Sequence, residues 1–202
     1  VESLIFFVWR ATQKIWMFLT LLKGENTMSE MKEKDLSVLV SDYAIENFKN
    51  GLNCSESVYE ALQRIGALDN VSKDTLALAV GFGGVVGASG LGLCGALAAG
   101  IMANGAVHGR KDPKSVDASV RMTEIGEKYY QRYNNMIYEF AKKNDGTTCG
   151  EICSKFEDFH GRDRKVNCLK LIGSAAAMAY KYIQLSNEET QKMGYVKKNG
   201  DK

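Results

Sequence analysis

A glycine-rich run, residues 81–109, restricts the fold of this chain more than any other segment. It reads GFGGVVGASGLGLCGALAAGIMANGAVHG and holds half of the twenty glycines of the chain. Glycine permits positive φ and lets the backbone approach a neighbour closely, so this density predicts a binding site. A single cysteine, Cys94, lies near the middle of the run. The small residues after it predict the start of a helix that a neighbouring helix can approach closely.

The remaining composition indicates an all-α protein. The chain has one proline, few alternating β-branched residues and abundant Ala, Leu, Met, Glu and Lys, a composition that favours helices. At 202 residues we expect a single helical-bundle domain with the glycine-rich segment at its centre. The 26 basic and 24 acidic residues nearly balance, which argues against a nucleic-acid partner.

The two ends of the chain differ from its middle. Residues 1–30 are expected to be an N-terminal extension, either translated sequence upstream of the native start or an amphipathic addition. Its apolar stretch is interrupted by Arg10 and Lys14 and lacks a basic start and a cleavage site, so we expect neither a signal peptide nor stable membrane insertion. Residues 31–185 are predicted to form the helical domain, and residues 186–202 a polar, frayed tail.

Helix boundaries follow from capping residues and from apolar side chains repeated every three or four positions. One helix is expected from Asp35 to a terminator at Gly51. A long helix is expected from the Asp112-Pro113 pair to about Lys143, because proline is tolerated in the first turn of a helix. The other helices are expected to start after Asn53, near Ser72, at Cys94, after Thr148 and after Asn167.

Four of the five cysteines fall at expected helix starts, namely Cys54, Cys94, Cys149 and Cys168. Asn53 and Thr148 are each followed by a cysteine and, three residues after the cap, by a glutamate, which is the pattern of a capping box. Unpaired N–H groups and the positive end of the helix dipole favour a thiolate over a thiol. The four cysteines together therefore indicate a shared redox or metal-binding function.

The cysteine pattern resembles that of the redox-active proteins named for a C…GCAxxG…C…C motif. The matching segments are Asn53-Cys54, FGG at 82–84, Cys94-Gly95-Ala96, GTTC at 146–149 and Asn167-Cys168. Ala99 stands at the closing glycine of the motif, and Gly100 follows it. The resemblance covers about residues 35–183 and implies a helical domain whose cysteines serve a redox function.

The same resemblance implies an iron–sulfur cluster, of the [2Fe–2S] type, that transfers electrons. The implied ligands are Cys54, Cys94, Cys149 and Cys168. Backbone N–H groups of the glycine run are expected to hydrogen-bond the sulfides of the cofactor, at Gly83, Gly84, Gly92 and Gly95. The chain has no CxxCH haem-attachment motif, so a separate redox protein is the expected electron donor or acceptor.

Two other kinds of site use some of the same residues. The first is a structural zinc site in an interaction module, with the ligands Cys149, Cys153, His160 and Cys168, because Cys149 and Cys153 are one helical turn apart. The second is a dithiol oxidoreductase without a cofactor, in which two of the cysteines form and break a disulfide. Visible absorption, zinc content and a titratable disulfide distinguish the three.

The cysteine count also predicts a compartment. Five cysteines without repeated short spacings do not form the disulfide framework of a small secreted protein, so a reducing, cytoplasmic location is expected. A cluster held within one chain and a cluster shared across a homodimer are both compatible with the sequence.

Overall fold

The computed structural model describes residues 25–84, 87 and 89–196, with side chains from residue 35 onward. Within these ranges all regular structure is helical, which confirms the all-α fold, and the one β-type contact is an isolated antiparallel bridge between Leu93 and Thr148.

The chain divides into two units, residues 1–36 and residues 37–202. The first unit is described only from residue 25, and the expected extension lies largely outside the described residues. None of the described helices is both long enough and apolar enough to cross a membrane.

Eight α-helices and one 3₁₀ helix make up the regular structure of the described ranges. They are α1 (Glu25–Lys49), α2 (Cys54–Arg64), the 3₁₀ helix (Lys73–Phe82), α3 (Gly95–His108), α4 (Arg121–Lys128), α5 (Tyr130–Asn144), α6 (Cys149–Cys153), α7 (Arg162–Gln184) and α8 (Asn187–Met193).

The core is built around α3, which packs against α2 on one side and α7 on another. The approach of α3 to α7 depends on small residues: a Cβ added at Gly100 would lie 3.1 Å from the Cβ of Ala179. Four residues of α7 spaced four positions apart along the helix are all buried, namely Leu171, Ala175, Ala179 and Ile183. The small side chains on the facing surfaces of α3 and α7 therefore let these two helices pack closely.

The long helix predicted from Asp112 to Lys143 is wrong over its first third. Residues 111–120 form turns, and the helical part is divided into α4 and α5 at Tyr129, whose φ is −123°. The side-chain oxygens of Asp112 and Asp117 each accept a hydrogen bond of 2.9 Å from the backbone N–H two residues further on. These local bonds give the backbone an alternative to a helix, which explains the error.

Two further expectations near the C-terminus are also wrong. The last long helix begins at Arg162, with Gly161 as its cap, and not at Asn167-Cys168. Residues 187–193 form α8 where a frayed tail was expected, because Ser186 makes a full capping box with Glu189 and Thr190 is buried. Of the two starts, that of α8 is explained by its capping box, whereas Gly161 makes no side-chain capping bond.

Candidate functional site

Cys54 is the first residue of α2, as predicted, and the cap before it fixes its position. The Asn53 side-chain oxygen accepts hydrogen bonds of 2.9 Å from the N–H groups of Ser55 and Glu56, and Glu56 accepts one of 3.0 Å from the Asn53 N–H. The Asn53 side-chain amide also donates to the carbonyl of Val80 over 3.2 Å. The capping box therefore attaches the start of α2 to the segment that leads into the glycine run.

Cys94 is the N-cap of α3, so it too lies at the predicted helix start. Its N–H donates a hydrogen bond of 2.8 Å to the carbonyl of Thr147, beside the bridge between Leu93 and Thr148. This pairing joins the end of the glycine run to the residues that precede Cys149. It places Cys94 and Cys149 next to each other, although they are far apart in sequence.

Cys149 opens the single-turn helix α6, again behind a capping box. The hydroxyl of Thr148 accepts a hydrogen bond of 3.2 Å from the Glu151 N–H, and Glu151 accepts one of 3.0 Å from the Thr148 N–H. Cys153 closes the same turn, with its sulfur 3.8 Å from that of Cys149. Cys168 lies inside α7 and not at its start, so the expected link between cysteine and helix start holds for three of the four.

All four predicted cysteines line one cavity of about 120 Å³. The remaining residues of its wall come from α1, α2, α3, α7 and the glycine run, and they are Phe48, Asn53, Gly84, Gly95, Arg164, Leu171 and Ile172. A buried water needs roughly 10–15 Å³ by this kind of measure, so the cavity has room for a group of several atoms.

Two of the four glycines expected to contact a cofactor are on this wall. Gly84 and Gly95 line the cavity, whereas Gly83 and Gly92 are not among its lining residues. A Cβ at Gly95 would collide with the sulfur of Cys54 and the carbonyl oxygen of Phe82, and one at Gly83 would lie 2.5 Å from the Asn53 side chain. Gly84 has a φ of 62° and Gly92 a φ of 95°. These glycines are therefore explained by close packing and backbone conformation around the cysteines.

Burial raises the pKa of three of the thiols, contrary to the expectation that helix starts favour thiolates. The pKa of Cys94 is raised to about 12 by burial and by the neighbouring Cys54 sulfur, against a smaller lowering by the N–H groups of Leu97 and Ala96. The pKa of Cys149 is raised to about 12, by burial and then by Cys153. Desolvation therefore outweighs the helix terminus.

Cys168 differs from the other two because a cation lies beside it. Burial raises its pKa to about 11, while the guanidinium of Arg164 acts in the opposite direction. The Nη1 atom of Arg164 donates to the Cys168 sulfur over 3.9 Å.

The residues of the zinc hypothesis are only partly brought together. Cys153 and His160 do not line the cavity, and His160 is exposed. Across the described ranges, no three His, Cys, Asp or Glu side chains are grouped closely enough to hold a metal ion. That statement includes the four cysteines that line the cavity.

Arg164 is the residue of the site that sequence reasoning missed. It precedes Cys168 by four positions, and this spacing places two side chains on one face of a helix. The signal went unused because the helix was expected to begin at Asn167-Cys168, after Arg164. The apolar lining residues Phe48, Leu171 and Ile172 were likewise not predicted to belong to the site.

The fold and the cavity together define a helical protein that gathers four thiols from four separate segments at one site. A family model described as "Putative redox-active protein (C_GCAxxG_C_C)" matches residues 52–182. The chain belongs to this family of redox-active proteins, which confirms the resemblance drawn from the cysteine pattern. The comparisons with curated proteins and with solved structures found no match.

Proposed function

We propose that Cys54, Cys94, Cys149 and Cys168 hold a [2Fe–2S] cluster and that the protein transfers single electrons. The observation that carries the proposal is the presence of all four cysteines among the residues that line one cavity. Four thiolates are the usual ligands of such a cluster, and when bound it supplies one-electron chemistry. The cavity volume supports a group of this size more than a single ion.

The arrangement of the sulfurs favours a cluster over zinc. The zinc site would need His160 as its fourth ligand, and His160 is exposed and does not line the cavity. The four thiols of the cluster hypothesis, by contrast, all belong to residues that line the cavity. Each thiol must lose its proton on metal binding, and that proton passes to solvent.

The residues around the thiols protect and orient the site. Phe48, Leu171 and Ile172 supply an apolar wall that limits the access of water. Gly84 and Gly95 present backbone without a side chain at the cavity, where N–H groups are available to donate hydrogen bonds to sulfur. These donors would stabilise negative charge on the bound group.

A second candidate function rests on the distance of 3.8 Å between the sulfurs of Cys149 and Cys153. These two thiols would form a disulfide as a partner disulfide is reduced, so two electrons and two protons pass to the partner. The raised pKa of Cys149 disfavours this reaction, since a thiolate is the attacking species. The purification and reconstitution experiment described below distinguishes this dithiol reaction from the cluster.

The proposed function includes a redox partner protein and a cytoplasmic location. The sequence has no CxxCH haem-attachment motif, and we propose that a separate redox protein delivers or accepts the electron. A reducing cytoplasm would keep the thiols available for the cluster. The ligands are proposed to come from one chain, and a homodimer would then not be needed to complete the site.

Anaerobic purification or reconstitution with iron and sulfide tests the proposal. We expect brown protein with two irons and two sulfides per chain, visible absorption that dithionite bleaches, and an electron paramagnetic resonance signal after reduction. The Cys54→Ser, Cys94→Ser, Cys149→Ser and Cys168→Ser variants should lose most of the iron. Cys153→Ser is the matched control, because Cys153 is buried nearby but lies off the cavity wall, and it should retain the iron.

Two results would contradict the proposal. Colourless protein with stoichiometric zinc would support the zinc module. Metal-free protein in which mass spectrometry finds a reversible Cys149–Cys153 disulfide would support the oxidoreductase.

A further inference from the structure

The cavity contains one residue whose charge does not change near neutral pH. Of its described lining residues, Arg164 alone carries a fixed charge, because an arginine side chain stays protonated in proteins. None of the ion pairs among the described side chains includes Arg164. The thiol cavity therefore has a positive charge on its wall without a carboxylate to balance it.

Packing holds this charge against the sulfurs. The guanidinium carbon of Arg164 lies 4.4 Å from the centre of the Phe159 ring, a cation–π contact. On its other side, the Nη1 atom lies 3.9 Å from the Cys168 sulfur. The aromatic ring and the helix spacing of four residues hold the half-buried side chain at the cavity wall.

The guanidinium also has a donor without an acceptor. The Nε atom of Arg164 is buried and has no hydrogen-bond partner among the residues that the structure describes. A buried donor left without a partner is unfavourable, and a cation close to uncharged thiols gains little in exchange for its lost hydration. A negative charge in the cavity would offset both the unpaired Nε donor and the lost hydration of the guanidinium.

We propose that Arg164 makes this cavity an anion-binding site and that its guanidinium balances the negative charge of the thiolates and of the group bound to them. The inference rests on the proposed function for the identity of that group, an anionic iron–sulfur centre. Reduction adds one electron, and hence one negative charge, to the cavity. A fixed cation beside it stabilises the reduced form more than the oxidised form, so Arg164 raises the reduction potential.

The first test uses protein without a cluster. Reduced, metal-free protein is treated with iodoacetate, which is an anion, or with iodoacetamide, which is neutral, and modification of Cys168 is followed by peptide mass spectrometry. In both reactions the sulfur bonds to the reagent carbon, iodide leaves and the thiol proton passes to water. The ratio of the two rates reports the local charge, since the thiolate fraction is common to both.

We expect the iodoacetate preference at Cys168 to fall at least about fivefold in Arg164→Gln, because one unit charge about 4 Å away has that effect in bulk water and a larger one where water is partly excluded. Arg164→Lys, which keeps the charge, should retain most of it. Arg162→Gln removes an exposed arginine from the same helix turn and should leave the ratio unchanged. An unchanged ratio in Arg164→Gln, or no modification of Cys168 by either reagent, would overturn the inference.

The second test uses reconstituted protein and a redox titration followed by visible absorption. We expect a more negative midpoint potential in Arg164→Gln, a smaller change in Arg164→Lys and none in Arg162→Gln. Circular dichroism establishes that each variant is folded. Equal potentials in the wild type and Arg164→Gln would contradict the role of Arg164 while leaving the cluster intact.

The two tests separate the failure of this inference from the failure of the proposed function. Wild-type protein that binds no iron but prefers iodoacetate at Cys168 would refute the cluster and support the anion site. Wild-type protein that binds the cluster, with the same charge preference and potential in all variants, would support the cluster and refute the role of Arg164.

Discussion

The backbone of Gly95 passes close to the sulfur of Cys54, and this contact shows what a single residue decides at the site. Any Cβ at position 95 would meet that sulfur and the carbonyl oxygen of Phe82. The glycine thus allows the start of α2 and the start of α3 to share one cavity. Glycine is required at position 95 because the Cys54 sulfur and the Phe82 carbonyl leave no room for a side chain. The backbone there is not in the left-handed conformation.

Gly95→Ala is expected to destabilise the protein by about 1–3 kcal/mol, the usual effect of forcing an extra carbon into a packed interior. The free energy of unfolding in urea measures it. Gly81→Ala is the matched control, because a Cβ at Gly81 would have no heavy atom within 4 Å. We expect that control to be neutral or slightly stabilising, and a neutral Gly95→Ala would refute the contact.

At the scale of the element, caps determine where each helix begins and thus where each cysteine is held. Asn53 and Thr148 form the capping boxes that the sequence predicts, and each places a cysteine at the following residue. The helix α6 has only five residues, so its position depends strongly on its cap and on the bridge to Leu93. The site is sensitive to the ends of helices more than to their middles.

Thr148→Ala and Ser186→Ala form a matched pair, since both remove the hydroxyl of a complete capping box. We expect each to lower the free energy of unfolding by about 1 kcal/mol. Only Thr148→Ala should also reduce the iron bound per chain, because α8 lies away from the cavity wall. Equal iron content in the two variants would show that the Thr148 cap does not position Cys149.

A buried arginine connects α5 to the end of α7. Arg132 is 1% exposed, and its guanidinium donates to the carbonyls of Tyr182 and Leu185 and to the side chain of Asn187. These acceptors include carbonyls at the C-terminus of α7, which have no partner within the helix. The arginine therefore replaces the missing N–H groups and holds α7 in place.

Arg132→Met is expected to cost about 1–3 kcal/mol or more, because it leaves buried acceptors without a donor. Thermal and urea unfolding measure the loss. Arg162→Met on the exposed side of α7 should change the stability little. A tolerated Arg132→Met would mean that water supplies the missing hydrogen bonds.

At the scale of the whole molecule, a carboxylate between two helices makes the stability depend on pH. Glu139 on α5 receives hydrogen bonds of 2.7 Å from Lys143 and 2.8 Å from Lys181 of α7. Burial alone would raise the pKa of Glu139, but the two lysines outweigh it and hold the pKa at about 2, below the ordinary 4.5. The charged form is therefore favoured by folding.

The stabilisation from a carboxyl with a lowered pKa is complete above its unfolded pKa and is lost as pH falls through the folded one. For Glu139 the loss is expected between about pH 4.5 and pH 2. Urea unfolding at several pH values should show a steeper fall in stability for the wild type than for Glu139→Gln in this window. Parallel curves for the two proteins would contradict the role of the lysines.

The amino-acid sequence by itself determined the all-α class, the cysteine set and most of the helix starts. Helix propensity and capping are local, so Asn53, Ser72 and Thr148 identified their helices without knowledge of any neighbour. Local competition also explains the error at Asp112, where side-chain hydrogen bonds form turns in place of a helix. At Asn167 the helix begins five residues earlier, at Arg162, without a side-chain cap. The family was likewise readable from the cysteine pattern.

Only the tertiary structure decided which cysteines lie near one another and how burial changes the pKa values of their thiols. The bridge from Leu93 to Thr148 brings Cys94 to Cys149, and the close packing of α3 on α7 brings in Cys168. Thiol pKa values and the charge of Arg164 depend on what surrounds each group after burial. Those surroundings come largely from residues distant in sequence, so the local patterns predicted which cysteines take part but not their protonation. Arg164 is the exception, because its spacing of four residues from Cys168 is a local pattern that the misplaced helix start concealed.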